Sequence, residues 1–176
     1  MILASPERIA AVRAAAHAVT PAVLDRTAEI AAVASPTGEE AAKSTLVQQL
    51  FRSEGLACER DDLGDVVATI PGHLPGGSVG SLLIAAHIDT VFPRETPLTI
   101  TRSEDRLAGP GVGDNSVAVA VVTKLHEVFA RAGERPAVDI LVTGNVGEEG
   151  LGNLRGIREV MAARPGIGAV IALEGH

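Results

Sequence analysis

Three apolar runs in this chain end in ionisable side chains, and a glycine-rich turn presents a further acid. Leu82-Leu-Ile-Ala-Ala86 delivers His87 and Asp89, Ile140-Leu-Val-Thr143 is followed by Glu148 and Glu149, and Val170-Ile-Ala-Leu173 ends in Glu174. In open α/β sheets ligands bind beyond the carboxyl ends of strands, so three such segments can converge on one crevice. The turn Gly109-Pro-Gly-Val-Gly113 leads into Asp114 at the expected start of a helix facing the same crevice. His, Asp and Glu without a thiolate form the donor set of a catalytic zinc site, which uses about three protein ligands and keeps a position for water. The adjacent acids Glu148 and Glu149 point the same way, because neighbouring carboxylates in an apolar setting repel and desolvate unless a cation compensates. One of the two can hold metal while the other takes a proton from water, whose pKa falls to roughly 7 on zinc. Asp89, two residues after His87, is placed to hydrogen-bond the other ring nitrogen and fix the tautomer.

Secondary structure has to bring these segments together. From Pro6 to about Phe51 the chain is Ala-rich with apolar residues at three- and four-residue spacing, a stretch that accommodates three helices. Thr37-Gly-Glu-Glu40 reads as a capping box ahead of Leu46, Val47, Leu50 and Phe51, which share one helical face. After Gly55 the period changes. Val66 to Ile70 and Ser81 to Ala86 read as strands separated by the turn-rich Pro71–Gly77 segment. Leu98–Thr101 and Arg106–Ala108 suggest a hairpin about Ser103–Asp105, followed by a helix from Asn115 to Ala132. A strand from Val138 to Thr143, a helix from Leu154 to Ala163 and a final buried strand from Ala169 to Leu173 complete the pattern. Alternation of this kind predicts an α/β domain with a mixed, partly parallel sheet flanked by helices.

Composition removes several partners. The chain has 176 residues, 46% of them hydrophobic, which fits one folded domain with a sizeable core. With three Phe and neither Trp nor Tyr there are no aromatic platforms for stacking bases. Acids outnumber bases 22 to 15, a net charge of -7 that repels a phosphate backbone. Nucleic acid is therefore not an expected partner. No stretch reaches the ~18 apolar residues of a membrane span, and the N-terminal residues lack the basic and apolar regions of an export signal. The lone Cys58 rules out a disulfide framework, so a reducing cytoplasm is the expected compartment.

Taken in order, His87-Ile-Asp89-Thr-Val, Gly111-Val-Gly-Asp114-Asn115, Glu148-Glu149-Gly150 and Glu174-Gly175 resemble the successive signatures of the zinc metallopeptidase superfamily of peptidase T, glutamate carboxypeptidase, aminoacylase and succinyl-diaminopimelate desuccinylase. The resemblance spans the chain and is densest over residues 81 to 176. It implies His87 and Glu174 on one zinc, Asp114 bridging, Glu149 on a second zinc, Glu148 as general acid/base and Asp89 supporting His87. Co2+ or Mn2+ would accept the same donors. It also implies a cis bond at Asp114-Asn115, a peptide or N-acyl amino acid substrate, and a homodimer for the full-length protein. Members of the superfamily complete the second zinc site with a distant downstream His, after an inserted dimerisation domain. Here the second site is one ligand short, so the expectation is an N-terminal portion of a catalytic domain, inactive by itself.

Plainer readings stand beside these. Glu148 and Glu149 can be a solvated acidic loop, and Glu174 a solvated acid near the chain end. His176 would share a face with Glu174 if the strand continued, as a surrogate ligand. His17, His73 and His126 are expected to be structural or solvated, and Cys58 a small buried or half-buried hydrophobe. Gly109–Gly113 lacks the spacing of a nucleotide loop, and no nucleophile elbow surrounds Ser116. The competing function is a non-catalytic metal-binding or assembly domain on the same fold.

Overall fold

The computed structural model describes residues 5–74, 80–104 and 106–175. Its elements are α1 (Pro6–Ala31), α2 (Ala41–Ser53), β1 (Cys58–Arg60), β2 (Val66–Ile70), β3 (Ser81–His87), β4 (Thr101–Arg102), β5 (Leu107–Ala108), α3 (Val117–Ala132), β6 (Ile140–Asn145), α4 (Arg155–Ala163) and β7 (Ile167–Ala172).

Alternation along β2 sets the layers. Val66, Ala68 and Ile70 point into the main core with Ile30 of α1, Val47, Leu50 and Phe51 of α2 and Val119 and Val122 of α3. Val67, one residue out of phase, joins Leu83 and Val160 in a smaller core under α4. This two-residue period places α1, α2 and α3 on one face of the sheet and α4 on the other. The strand order is β1-β2-β6-β3-β7. β1 to β2 and β2 to β6 are antiparallel, whereas β3 pairs in parallel with both β6 and β7. The sheet is thus mixed and partly parallel, as the alternation of elements predicts.

Several expectations change in detail. The first fifty residues hold two helices rather than three, because α1 runs through Pro21 without a break. Proline there costs one backbone hydrogen bond, and the helix continues on its packing against α3 through Ala15, Val19 and Val128. Thr37 is not a helix cap. Glu40 stands at the N-cap position of α2 with no side-chain cap bond, and the Thr37 hydroxyl goes elsewhere. The hairpin shrinks to Thr101–Arg102 against Leu107–Ala108, while Asp105, Pro75–Gly77 of the long turn, Met1–Ala4 and His176 lie outside the described residues. β7 forms, but it is not buried: it occupies the sheet edge, with Val170 and Ile171 42% and 46% exposed. The short β1 carries too few residues for a periodic signal.

Candidate active site

Parallel pairing aligns the carboxyl ends of three strands. His87, the last residue of β3, is level with Asn145, the last of β6, and Ala85 is level with Ala172, the last of β7. Two further backbone bonds extend the match beyond the strands, Ile88 N–H to Asn145 O and Leu173 N–H to Ala85 O, both 2.8 Å. The chain therefore leaves the sheet at one edge carrying Asp89, Glu148, Glu149 and Glu174.

Asp89 is the hub of this edge. It is fully buried, and its two carboxylate oxygens accept the backbone N–H groups of Glu148 and Glu149, each at 3.0 Å. The second oxygen also accepts the Thr37 hydroxyl at 2.8 Å. His87 presents Nδ1 to the Asp89 backbone carbonyl at 3.1 Å, with the carboxylate 3.5 Å away. Support of the ring thus comes from the main chain of Asp89 as well as from the expected side chain. The opposite nitrogen, Nε2, faces Asp114 Oδ1 at 3.0 Å and Glu174 Oε1 at 3.3 Å.

Asp114 reaches this position from an irregular turn. Gly111 takes a left-handed conformation, φ 67°, and Asp114 and Asn115 lie outside helical geometry, so α3 begins only at Val117 rather than at Asn115. The Asp114-Asn115 bond is cis. Asn115 Nδ2 donates to Leu173 O at 2.9 Å, tying the turn to the segment beyond β7. Gly175 packs against the Gly113 carbonyl so closely that a Cβ would collide with it, which accounts for glycine after Glu174.

Charge dominates the electrostatics. Burial pushes His87 down, but Asp89, Glu174 and Glu148 outweigh it and raise the imidazole to about 9. Burial pushes Asp89 up, and its bonds to His87, the Glu148 and Glu149 amides and Thr37 overcome that, taking it down to about 2. Glu149 is raised by burial and by the charges of Asp114, Glu148 and Asp89, with His87 pulling the other way. Behind Asp89, the buried Lys43 is lowered by desolvation to about 8, partly offset by Asp89. The crowding of carboxylates that raises both Glu149 and His87 suits the crevice to a cation.

Of the residues singled out from the sequence, His87, Asp114 and Glu149 offer one donor atom each within 4.8 Å of one another. Glu174 joins through His87, and Glu148 lines a pocket of about 100 Å³ together with His87 and Glu174. An imidazole nitrogen with carboxylate oxygens fits a divalent ion of zinc type. A triad this close is compatible with Asp114 lying between His87 and Glu149, the order that the resemblance implies. His73 Nδ1 lies 2.9 Å from the Pro136 carbonyl, and Cys58 is half-buried and bonds the Gln48 carbonyl. The contacts of Thr37 with Asp89 and of Asn115 with Leu173 are not legible in the sequence. Thr37 carries only a generic cap signal, and Asn115 only its place after Asp114.

This fold and this edge define a metallopeptidase-type domain. Residues 83–175 match the sequence model of Peptidase family M20/M25/M40, and the chain belongs to that family. It is 30% identical over 151 residues to the succinyl-diaminopimelate desuccinylase of Stenotrophomonas maltophilia (strain R551-3), a match covering 81% of this chain and 40% of the relative. A desuccinylase of Xanthomonas oryzae pv. oryzae is 33% identical over 144 residues, 78% of this chain and 38% of the relative. Among solved structures, the aminopeptidase PepT from Bacillus cereus superposes with a TM-score of 0.69 at 21% identity, over 87% of this chain and 43% of that one. The di-peptidase Dug1p from Saccharomyces cerevisiae gives 0.77 at 15% identity, over 97% and 42%. The chain spans about 40% of the length of the curated relatives it matches.

Proposed function

We propose that this chain carries the metal-binding part of a metal-dependent amide hydrolase, acting on a peptide or N-acyl amide bond in a small substrate. The observation that carries the reading is the meeting of His87, Asp114 and Glu149 within 4.8 Å at the carboxyl edge of the parallel strands. Curated relatives at 30–33% identity are desuccinylases, which favours an N-acyl substrate. The solved neighbours are peptidases of lower identity and speak to the fold.

In this reading His87 and Glu174 would hold one metal ion and Glu149 a second, with Asp114 shared between them, zinc first and Co2+ or Mn2+ accepted by the same donors. Bound there, a divalent ion supplies Lewis acidity towards a carbonyl and lowers the pKa of water. Glu148 is the general acid/base: it takes a proton from the attacking water and returns it to the leaving nitrogen. Asp89 fixes Glu148 and Glu149 through their amides and stands against the inner side of the His87 ring. Outer contacts of this kind commonly matter 10- to 100-fold in metal affinity or activity. Among the described residues no helix is long and apolar enough to cross a bilayer.

The test is hydrolysis of a panel of N-acyl amino acids and dipeptides by the intact gene product, with and without chelator. Turnover that the chelator abolishes and added zinc restores is the expected result. Chelator-insensitive turnover, or no turnover of any panel member, overturns the proposal.

A further inference from the structure

The acidic loop between β6 and α4 has little regular structure to hold it. Gly147, Gly150, Asn153 and Leu154 all take left-handed conformations, with φ of 62°, 49°, 54° and 60°. For Leu154 in particular that conformation is unfavourable and persists only where surrounding contacts impose it. One anchor is Asp89, which accepts the Glu148 and Glu149 amides.

A second anchor lies at the start of α4. Arg155 N–H donates to the Gly147 carbonyl at 3.2 Å. Its side chain lies so close to Gly147 that a Cβ there would displace it, and the positive φ of Gly147 favours glycine in any case. Arg155 Nη2 donates to Glu40 Oε1 at 2.6 Å, and the same oxygen accepts the Gly38 N–H at 2.8 Å. Glu40 is 5% exposed. Gly38 follows Thr37, whose hydroxyl reaches Asp89. A closed circuit results, from Gly147 through Arg155, Glu40, Gly38, Thr37 and Asp89 back to Glu148 and Glu149.

We propose that Arg155 is a positioning residue for Glu148 and Glu149, clamping the loop at Gly147 through the buried carboxylate of Glu40. The inference rests on the functional reading only in giving those two glutamates work to do. Arginine suits the task because its planar guanidinium packs on a peptide while donating sideways, which a lysine ammonium cannot do. Because Glu40 is buried, removing the arginine alone leaves an unpaired carboxylate and costs stability as well, so exchange of the loop amides is read relative to those of β3.

The experiment uses R155A, R155K, E40Q and R155A/E40Q in the intact gene product. Amide exchange is followed by mass spectrometry and zinc affinity by calorimetric titration. R155A is expected to speed exchange of the Glu148 and Glu149 amides at least ~10-fold relative to the β3 amides, and to weaken zinc about 10-fold, as for lost outer contacts of metal ligands. The double variant is expected to be no worse than the worse single one, because both break the same clamp. R155K shows the same loosening to a smaller extent and carries the test if R155A does not fold. Unchanged loop exchange in R155A, additive effects in the double variant, or faster exchange spread evenly through β3 and β6 would overturn the clamp. If the wild type binds no zinc yet the loop loosens in R155A, the clamp stands and the metal reading falls. Tight zinc in both proteins with unchanged exchange gives the reverse.

Discussion

Replacing Asp89 by Asn tests whether one buried carboxylate organises the site. The change is nearly isosteric, but it turns one of the two acceptor oxygens into an NH2 group. Asp89 accepts from Glu148 N–H, Glu149 N–H and the Thr37 hydroxyl, so either orientation of the amide sets a donor against a donor. Thr37 can rotate to accept instead; a backbone N–H cannot. One orphaned amide costs about 1–3 kcal/mol, and exchanging a charged acceptor for a neutral one in the remaining bond adds about 1 kcal/mol. The expected loss is about 2–4 kcal/mol. The depressed pKa leads to a similar figure: burial raises the carboxyl, its hydrogen bonds more than reverse that, and the fall from 3.8 to about 2 corresponds to roughly 2.5 kcal/mol. Because the folded pKa is the lower one, this stability is present above about pH 4 and disappears as pH falls towards 2. Urea unfolding of D89N at pH 7, beside T37V as the milder control at about 1 kcal/mol, measures it. Calorimetric titration should show zinc binding weakened 10- to 100-fold. A D89N variant within 0.5 kcal/mol of wild type by the same ~1 kcal/mol scale of a single hydrogen bond, with unchanged zinc affinity, would refute the hub argument.

Three further outcomes follow from the same geometry. Glu148→Gln should keep metal bound while lowering turnover at least ~100-fold, whereas Glu149→Gln should lose metal affinity; equal metal loss in both contradicts the assigned roles. Asp65 is fully buried, and burial, with Asp61 adding to it against the bonds from Val146 and Asn145, raises its pKa to about 6. A raised carboxyl contributes full stability below about pH 4 and loses it as pH rises through 6, roughly 3 kcal/mol in all, so Asp65→Asn should flatten that decline. Parallel pH profiles of urea midpoints for the two proteins would contradict it. Gly147→Ala combines a left-handed φ with a clash on Arg155, and should lower the thermal midpoint by the equivalent of about 1–3 kcal/mol while weakening zinc; an unchanged midpoint would show that the loop accommodates a side chain.

Much of the site was legible in the sequence because strand and chemistry share a signature. The apolar runs ending at Ala86, Thr143 and Leu173 mark strands whose period is two, and residues just past such strands must emerge at a sheet edge. His87, Glu148, Glu149 and Glu174 could be picked out on that ground, and the ordered motifs around them identified the superfamily. The limits appear where local pattern and tertiary context disagree. Thr37-Gly-Glu-Glu40 has the residues of a capping box, yet both side chains serve distant partners, Asp89 and Arg155, that no local spacing reveals. The first fifty residues accommodate three helices by pattern alone, yet α1 runs unbroken through Pro21 where it packs on α3. β7 reads as buried because it is apolar, but strand order places it at an edge.

The sequence by itself determined which residue types could hold a divalent ion, the alternation of elements that makes the sheet partly parallel, and the family. Only the tertiary structure decided which of those donors meet. The 4.8 Å triad of His87, Asp114 and Glu149 depends on β3 lying between β6 and β7 in register, and on a turn that swings Asp114 to Nε2 of the same imidazole. Register and strand order arise from packing between segments far apart in the chain, through Val67, Leu83 and Val160 on one face and the larger core on the other. A linear pattern carries the period of each strand but not its neighbour, and the site is a property of neighbours.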